Sequence, residues 1–347
     1  MLFWKKDLKS LLMLTSGNLL GFLKLSSRLF FLPSLVLFPS SMCNYRCSMC
    51  VHGMGRGTDP MEIMPLDLLE AILNQCSRLW IKPRIHFSGY GEPLMYPHIL
   101  SAMQLCAAKG LTFGMTTNGH LLERHAKSLV QYGCHALNIS VHGDAERQAQ
   151  VTGVRDALEV QLRGIAAVEE AKRSQGTTYP HMALNCVISK DNLSQLREFL
   201  HKREGLPISS VTFQHLIFTR KEAQEQKDFL FASLAETEAL EEFIAYAQSR
   251  RNRVQVNFFP RLNSGAVRPY YLDPLHSFGT SCLLPWITAI VYPGGTVGLC
   301  GKCFGNAKDS PLMDIINGTA MRSFRQAVAR GRFQSEECFR CCHRHYD

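Results

Sequence analysis

The chain has 347 residues, enough for one large domain and a smaller one, and its 46% hydrophobic and 19% charged content excludes a disordered or membrane-embedded protein. A formal charge of +9 is spread along the sequence, with only short runs such as Arg250-Arg251-Asn252-Arg253, which describes a solvated basic face and counts against nucleic acid as the partner. Thirteen cysteines at irregular spacing do not make a disulfide framework; they point to metal binding in a reducing, cytoplasmic compartment.

Residues 1–33 are rich in Leu and Phe and carry Lys5, Lys6, Lys9, Lys24 and Arg28. Ser16, Gly17 and Asn18 interrupt the apolar run before it reaches the length of a membrane span or a signal-peptide core. Leu8, Leu11, Leu12, Leu19, Phe22 and Leu23 recur at helical spacing. An amphipathic helical segment packed on the main body is the expectation, with peripheral contact to a membrane surface as its alternative. From residue 34 to 260, short apolar runs at 35–38, 84–87, 112–116, 136–141, 182–188 and 211–213 read as strands. Helical stretches follow them at 66–79, 97–109, 121–132, 157–172, 193–201 and 236–250. Strand followed by helix, six times over, predicts an α/β fold with a parallel sheet, because parallel neighbours need a crossover connection. Curled, this is a partial (β/α)6 barrel, whose chemistry belongs at the C-terminal ends of its strands. After residue 260 prolines break up the chain. A hairpin follows at 290–292 and 296–299 around Pro293-Gly294-Gly295, then a helix at 313–330 and a Cys-rich tail. Residues 261–347 are therefore predicted to form a small separate α+β domain.

Cys43-Asn44-Tyr45-Arg46-Cys47-Ser48-Met49-Cys50 lies just past the first strand. Three thiols within eight residues can converge from one loop, and thiolates are the usual ligands of iron–sulfur clusters. Three ligands leave one iron open, as a catalytic cluster requires; zinc with His52 as a fourth ligand is the competing reading. Phe87-Ser88-Gly89-Tyr90-Gly91-Glu92-Pro93 follows the second strand, and Thr116-Thr117-Asn118-Gly119 ends the third.

Cys-x3-Cys-x2-Cys at this place in a six-fold strand–helix pattern resembles the radical S-adenosylmethionine (SAM) superfamily, with its motifs in order between residues 34 and 258. The resemblance implies a [4Fe–4S] cluster on Cys43, Cys47 and Cys50, with the open iron chelating SAM, and an electron donor such as flavodoxin or ferredoxin. It implies that Met49 packs near the adenine, that Gly91, Glu92 and Pro93 hold the SAM amino group, and that Asn118 belongs to the same pocket. It gives Ser140 and Asn185 the SAM ribose or carboxylate, although an ordinary strand-end hydrogen bond accounts for either residue equally well.

Cys282, Cys300, Cys303, Cys338, Cys341 and Cys342 form a second group. Cys-x12-Gly-x4-Cys from Cys282 through Gly295 to Cys300, followed by Cys338-x2-Cys341, resembles the SPASM/twitch auxiliary domain. It implies a second [4Fe–4S] cluster on Cys282, Cys300, Cys338 and Cys341, with Cys303 or Cys342 able to replace one of them and structural zinc as the alternative. Cys76, Cys106, Cys134 and Cys186 read as buried small hydrophobes.

The expected activity is reductive cleavage of SAM to a carbon radical that modifies a small-molecule metabolite or natural product. No catalytic residue is assigned; His142, Arg155, Cys186, Gln214 and His215 are candidates for the cavity. The alternatives are aminocarboxypropyl transfer to arsenic, suggested by a similarity of the tail Arg340-Cys341-Cys342 to the radical SAM enzyme of arsinothricin biosynthesis, a peptide maturase, and a non-enzymatic iron–sulfur or zinc protein.

Overall fold

The structure is a computed structural model that describes residues 27–50, 61–215, 233–249, 251–262, 265–273 and 282–332. Seven parallel strands follow one another in the sheet: β1 (Ser34–Leu37), β2 (Arg84–Phe87), β3 (Phe113–Thr117), β4 (Cys134–Ser140), β5 (His181–Val187), β6 (Ser210–Gln214) and β7 (Gln255–Phe259). Three more strands, β8 (Thr288–Val291), β9 (Thr296–Leu299) and β10 (Lys302–Asn306), extend the same sheet beyond β1. Strand β8 runs parallel to β1, pairing Ser34 with Thr288 and Leu37 with Val291, whereas β9 and β10 are antiparallel hairpin strands. The first six strands fall where the apolar runs predict them. The seventh, reading Gln-Val-Asn-Phe-Phe, does not show in the sequence as a strand because its alternation is short and follows a helix directly.

Alternation assigns the two faces of the sheet. Leu35, Leu37, Ile85, Phe87, Phe113, Met115, Leu137, Ile139, Leu184, Cys186, Val211 and Phe213 point to one side and are buried in the core. There they meet helices α1 (Leu66–Ser77), α2 (Ile99–Ala108), α3 (Leu122–Gln131), α4 (Ala145–Thr152), α5 (Ala157–Ser174), α6 (Leu196–Arg203) and α7 (Leu234–Ser249). Phe213, for example, packs edge-on against Phe199 of α6 and Phe243 of α7 at centroid distances of 6.0 and 4.8 Å. The remaining residues of each strand face the concave side, away from the helices.

Helix α4 is absent from the sequence reading because its buried face is Gln148, Val151 and Thr152, with one apolar side chain among the three. Asp144 caps it, accepting from the amide of Arg147 at 2.9 Å, and Gly153 ends it in a left-handed conformation. The predicted helix at 313–330 is two helices, α10 (Leu312–Ile316) and α11 (Thr319–Ala329), following α8 (Val267–Leu272) and α9 (Leu284–Ile287). The break falls at Asn317-Gly318, where the Asn317 side chain bonds both the amide and the carbonyl of Leu29 at 2.7 and 2.9 Å. Buried Arg325 of α11 adds a bond to the carbonyl of Ser27 at 3.0 Å. The end of the N-terminal segment is thus docked on the C-terminal helices; residues 1–26 lie outside the described residues. No helix among the described residues is long and apolar enough to cross a membrane.

Candidate active site

The cysteine loop leaves the C-terminal end of β1 and is fixed from three sides. Tyr45 anchors it: the ring is buried and its hydroxyl lies 3.3 Å from Nδ1 of His120. The amides of Arg46 and Ser48 donate to the carbonyls of Thr152 and Val151 at 3.1 and 2.9 Å, so the segment around Cys47 closes the C-terminus of α4. The third contact is with the loop after β2, where the amide of Glu92 donates to the carbonyl of Met42 at 2.6 Å. Gly91 is required here: a Cβ at this position would strike the carbonyl oxygens of Ser40 and Met42. The glycine therefore lets the two loops touch, a role in addition to any approach of ligand.

Cys43, Cys47 and Cys50 are half-buried in one neighbourhood. Burial, then the nearby thiols of Cys50 and Cys43, pushes Cys47 up to about 12; burial also raises Cys43, with Glu92 and Cys50 adding to the effect. A cation would reverse that mutual repulsion, so three soft donors on one loop fit an iron–sulfur cluster by their chemistry. Among the described residues no trio of His, Cys, Asp or Glu is already closed around a metal-sized space. His52, the fourth ligand of the zinc reading, lies outside the described residues.

Glu92 is buried, and its two oxygens face protein. One accepts from the Thr117 hydroxyl at 2.7 Å and the Leu94 amide at 3.1 Å, the other from the Asn118 amide at 2.6 Å. Burial pushes its carboxyl up to about 6, and these three donors oppose the shift. Glu92 thus ties the loop after β2, with buried Pro93 at the start of a single helical turn, to the end of β3. Asn118 continues the chain of contacts through Nδ2, which donates to Oδ1 of Asn44 at 2.7 Å and approaches Sγ of Cys43 at 3.9 Å. Met49 is half-buried within the loop.

Two residues not singled out in the sequence complete the arrangement. Gln148 of α4 and Gln161 of α5 are fully buried and share a hydrogen bond of 3.1 Å. Gln161 Nε2 donates to the carbonyls of Asn118 and Ser140 at 2.6 and 3.0 Å, while Gln148 Oε1 accepts from the amide of His142 at 2.7 Å. A glutamine at a core position of an amphipathic helix, among Ala157, Leu158, Gly164 and Ile165, is the signal by which Gln161 could have been found.

Ser140 and Asn185 stand side by side in register, both half-buried on the concave face. The row continues through Thr212 of β6 to Asn257 of β7. With Thr116 and Asn138 one step earlier and Gln214 one step later, the wall offers amides and hydroxyls without formal charge. Gln214 is the one cavity candidate that this register places on the wall with its side chain half-exposed. His215 and Cys186 point to the helix side, His215 bonding the Tyr271 hydroxyl at 2.6 Å, and Arg155 is exposed. His142 accepts from the Val187 amide at 3.2 Å, and burial lowers it to about 4, which keeps it neutral. Cys76, Cys106, Cys134 and Cys186 are buried in the core.

In the C-terminal region Cys282 is buried and Cys300 half-buried. Cys300 and Gly301 form the two-residue turn between β9 and β10, with φ of 51° and 65°. Both positive angles define a turn that favours Asn-Gly, so a cysteine at the first position bears strain. Cys303 is exposed on β10 at an irregularity in its pairing. Cys338, Cys341 and Cys342 lie outside the described residues.

The description "Radical SAM superfamily" belongs to a family model that matches residues 37–201, from β1 through the cysteine loop and the Glu92 tie to α6. The chain belongs to the radical SAM superfamily. An iron-sulfur cluster-binding domain model, SPASM, matches residues 282–342 and assigns the C-terminal part to the SPASM/twitch branch. The family's cofactors are a [4Fe–4S] cluster and SAM, with auxiliary iron–sulfur in the SPASM domain. Among curated relatives, the tungsten-containing aldehyde ferredoxin oxidoreductase cofactor-modifying protein of Pyrococcus furiosus is 27% identical over 53% of this chain and 51% of its own. A probable GTP 3′,8-cyclase of Thermococcus kodakarensis is 31% identical over 46% of this chain and 50% of its own. The chain thus spans about half the length of these relatives. The GTP 3′,8-cyclase of Tolumonas auensis aligns over 83% of this chain and 82% of its own at 25% identity. The fold is shared with SuiB of Streptococcus suis bound to S-adenosylmethionine, with a TM-score of 0.66, 17% identity, and coverage of 88% of this chain and 70% of that one. It is shared also with anSMEcpe bound to AdoMet and a peptide, with a TM-score of 0.65, 16% identity, and coverage of 89% and 85%.

Proposed function

We propose that this radical SAM protein reductively cleaves SAM at a cluster held by Cys43, Cys47 and Cys50 and directs the resulting carbon radical at an uncharged, polar part of a small molecule. A second cluster on Cys282, Cys300, Cys338 and Cys341 accompanies it, and a flavodoxin- or ferredoxin-like donor supplies the electron. Cys43, Cys47 and Cys50 would hold the first cluster, which would supply the electron for reductive cleavage of a carbon–sulfur bond of SAM. The chain's own residues set the geometry: Glu92 and Asn118 hold the end of β3 beside the cysteine loop, and Gly91 allows the loop after β2 to lie against it.

The observation that carries the reading is the neutral wall of Ser140, Asn185, Thr212, Gln214 and Asn257 on the face that carries Asn118 to the cysteine loop. Amides and hydroxyls recognise hydroxyl, carbonyl and amide groups by hydrogen bonds and repel neither charge sign. The relatives that align with this chain at 25–31% identity are named for GTP or for a cofactor, which supports a small molecule ahead of a peptide.

The test is anaerobic: reconstitute with iron and sulfide, add reductant and SAM, and identify the nucleoside released. 5′-Deoxyadenosine is expected from the wild type and none from Cys47→Ala. Methylthioadenosine would replace this reading with aminocarboxypropyl transfer, and no SAM cleavage by a fully loaded protein would end it.

A further inference from the structure

The buried glutamine pair reaches two places that the proposed chemistry must hold at a fixed separation. On one side, Gln161 Nε2 bonds the carbonyls of Asn118 and Ser140, which stand opposite each other just where the β3–β4 ladder stops. Beyond that point no strand pairing fixes the spread of the two ends, so Gln161 does. The Asn118 side chain then extends to Asn44 and to Sγ of Cys43.

On the other side, Gln148 fixes α4. Its Oε1 takes the amide of His142, its Nε2 meets Gln161 and the Ser140 carbonyl, and its own carbonyl accepts from the Thr152 hydroxyl at 2.7 Å. Thr152 and Val151 are the residues whose carbonyls hold Arg46 and Ser48 on either side of Cys47.

Every polar atom of both side-chain amides has a partner. Their orientation follows from the network: turning Gln161 over would set its oxygen against two carbonyl oxygens. Helices α4 and α5 place the pair behind the strand ends, where its hydrogen bonds reach the backbone of Asn118, Ser140 and His142.

We infer that Gln148 and Gln161 are positioning residues that set the distance between the first cluster and the SAM bound beside it. Gln161 acts through Asn118 and Ser140, and Gln148 through α4 and the cysteine loop. This rests on the proposed reading that SAM binds at the first cluster. If that reading fails, the wild type itself will show no response to SAM.

The test uses the full chain, reconstituted and reduced without oxygen, in wild-type form and as Gln161→Ala, the shape-conserving Gln161→Met and Gln148→Met. Iron content and thermal midpoint report cluster assembly and fold. The change in the electron paramagnetic resonance signal of the reduced first cluster, titrated with SAM, reports its approach to the cluster. The expected result is wild-type iron content with SAM affinity weakened about tenfold in the Gln161 variants, corresponding to about 1.4 kcal/mol. An altered signal at saturating SAM is also expected in Gln148→Met. Unchanged affinity and unchanged signal in fully loaded variants would overturn the proposal. Joint loss of iron and thermal midpoint in all three would also overturn it, by reducing the pair to an element of the fold.

Discussion

At the residue scale Glu92 carries the most readable electrostatics. Its carboxyl is buried against Thr117, Asn118 and Leu94, and its pKa is raised from an ordinary 4.5 to about 6 because burial outweighs those donors. The sign follows from linkage: between these values the folded chain binds the proton that the unfolded chain has lost. Its contribution to stability is therefore complete below the unfolded value and falls as pH rises through 6, by about 2 kcal/mol in all. Roughly 1 kcal/mol of that fall lies between pH 5 and pH 7.5. Glu92→Gln has no proton to lose there. Urea unfolding of the iron-free proteins should give a wild-type minus variant difference that declines by this amount across the interval. A flat difference would mean that Glu92 is not the buried tie described. The same residue shows what a sequence conveys at this scale. Gly91-Glu92-Pro93 and the cysteines stand out because their chemistry is packed into short stretches. That Glu92 turns toward Thr117 and Asn118, 25 and 26 residues on, follows only from the pairing of β2 with β3.

Among the elements, strands with apolar alternation were legible and those held by polar side chains were not. Helix α4 is invisible to hydrophobic periodicity because Gln148 and Thr152 occupy its buried face, yet it anchors the cysteine loop. Turn chemistry is more informative at the far end of the sheet. Asn-Gly would suit the β9–β10 turn, and Cys300 at φ 51° accepts a cost of about 1 kcal/mol there, which the proposed role as a cluster ligand would offset. Cys300→Asn separates the two effects. The iron-free variant should melt at the same temperature as the wild type or higher, because Asn tolerates the left-handed conformation. After reconstitution it should hold about four fewer iron atoms per chain, the content of one cluster. Full iron content in this variant would remove Cys300 from the ligand set and favour Cys303, which lies three residues on, on β10.

For the molecule as a whole, the sequence suggests a barrel at 34–260 and a separate small domain at 261–347, because prolines and cysteines change the texture of the chain. Pairing in the sheet crosses that division. Strand β8 lies along β1 for its full length, and the core takes in Trp286, Ala289 and Val291 together with Leu35 and Leu37. No local pattern could announce this, since the partners Val36 and Ile290 are joined by register alone. The arrangement has a consequence for folding. Ending the chain at residue 281 would leave β1 as an edge of four residues, Ser-Leu-Val-Leu, with one row of its backbone groups unpaired. It would also remove Asn317, which bonds Leu29, and Arg325 of α11, which bonds Ser27. Such a truncated protein is expected to aggregate, or to elute as an expanded species with weakened near-ultraviolet circular dichroism. Light scattering coupled to size exclusion distinguishes these states from a compact monomer. A monomer with native dichroism would show that the barrel stands alone and that the β1–β8 pairing is a contact between independent units. Aggregation relieved by adding residues 282–347 in trans would instead assign β8 to the barrel's own sheet, with the second cysteine group carried on its extension.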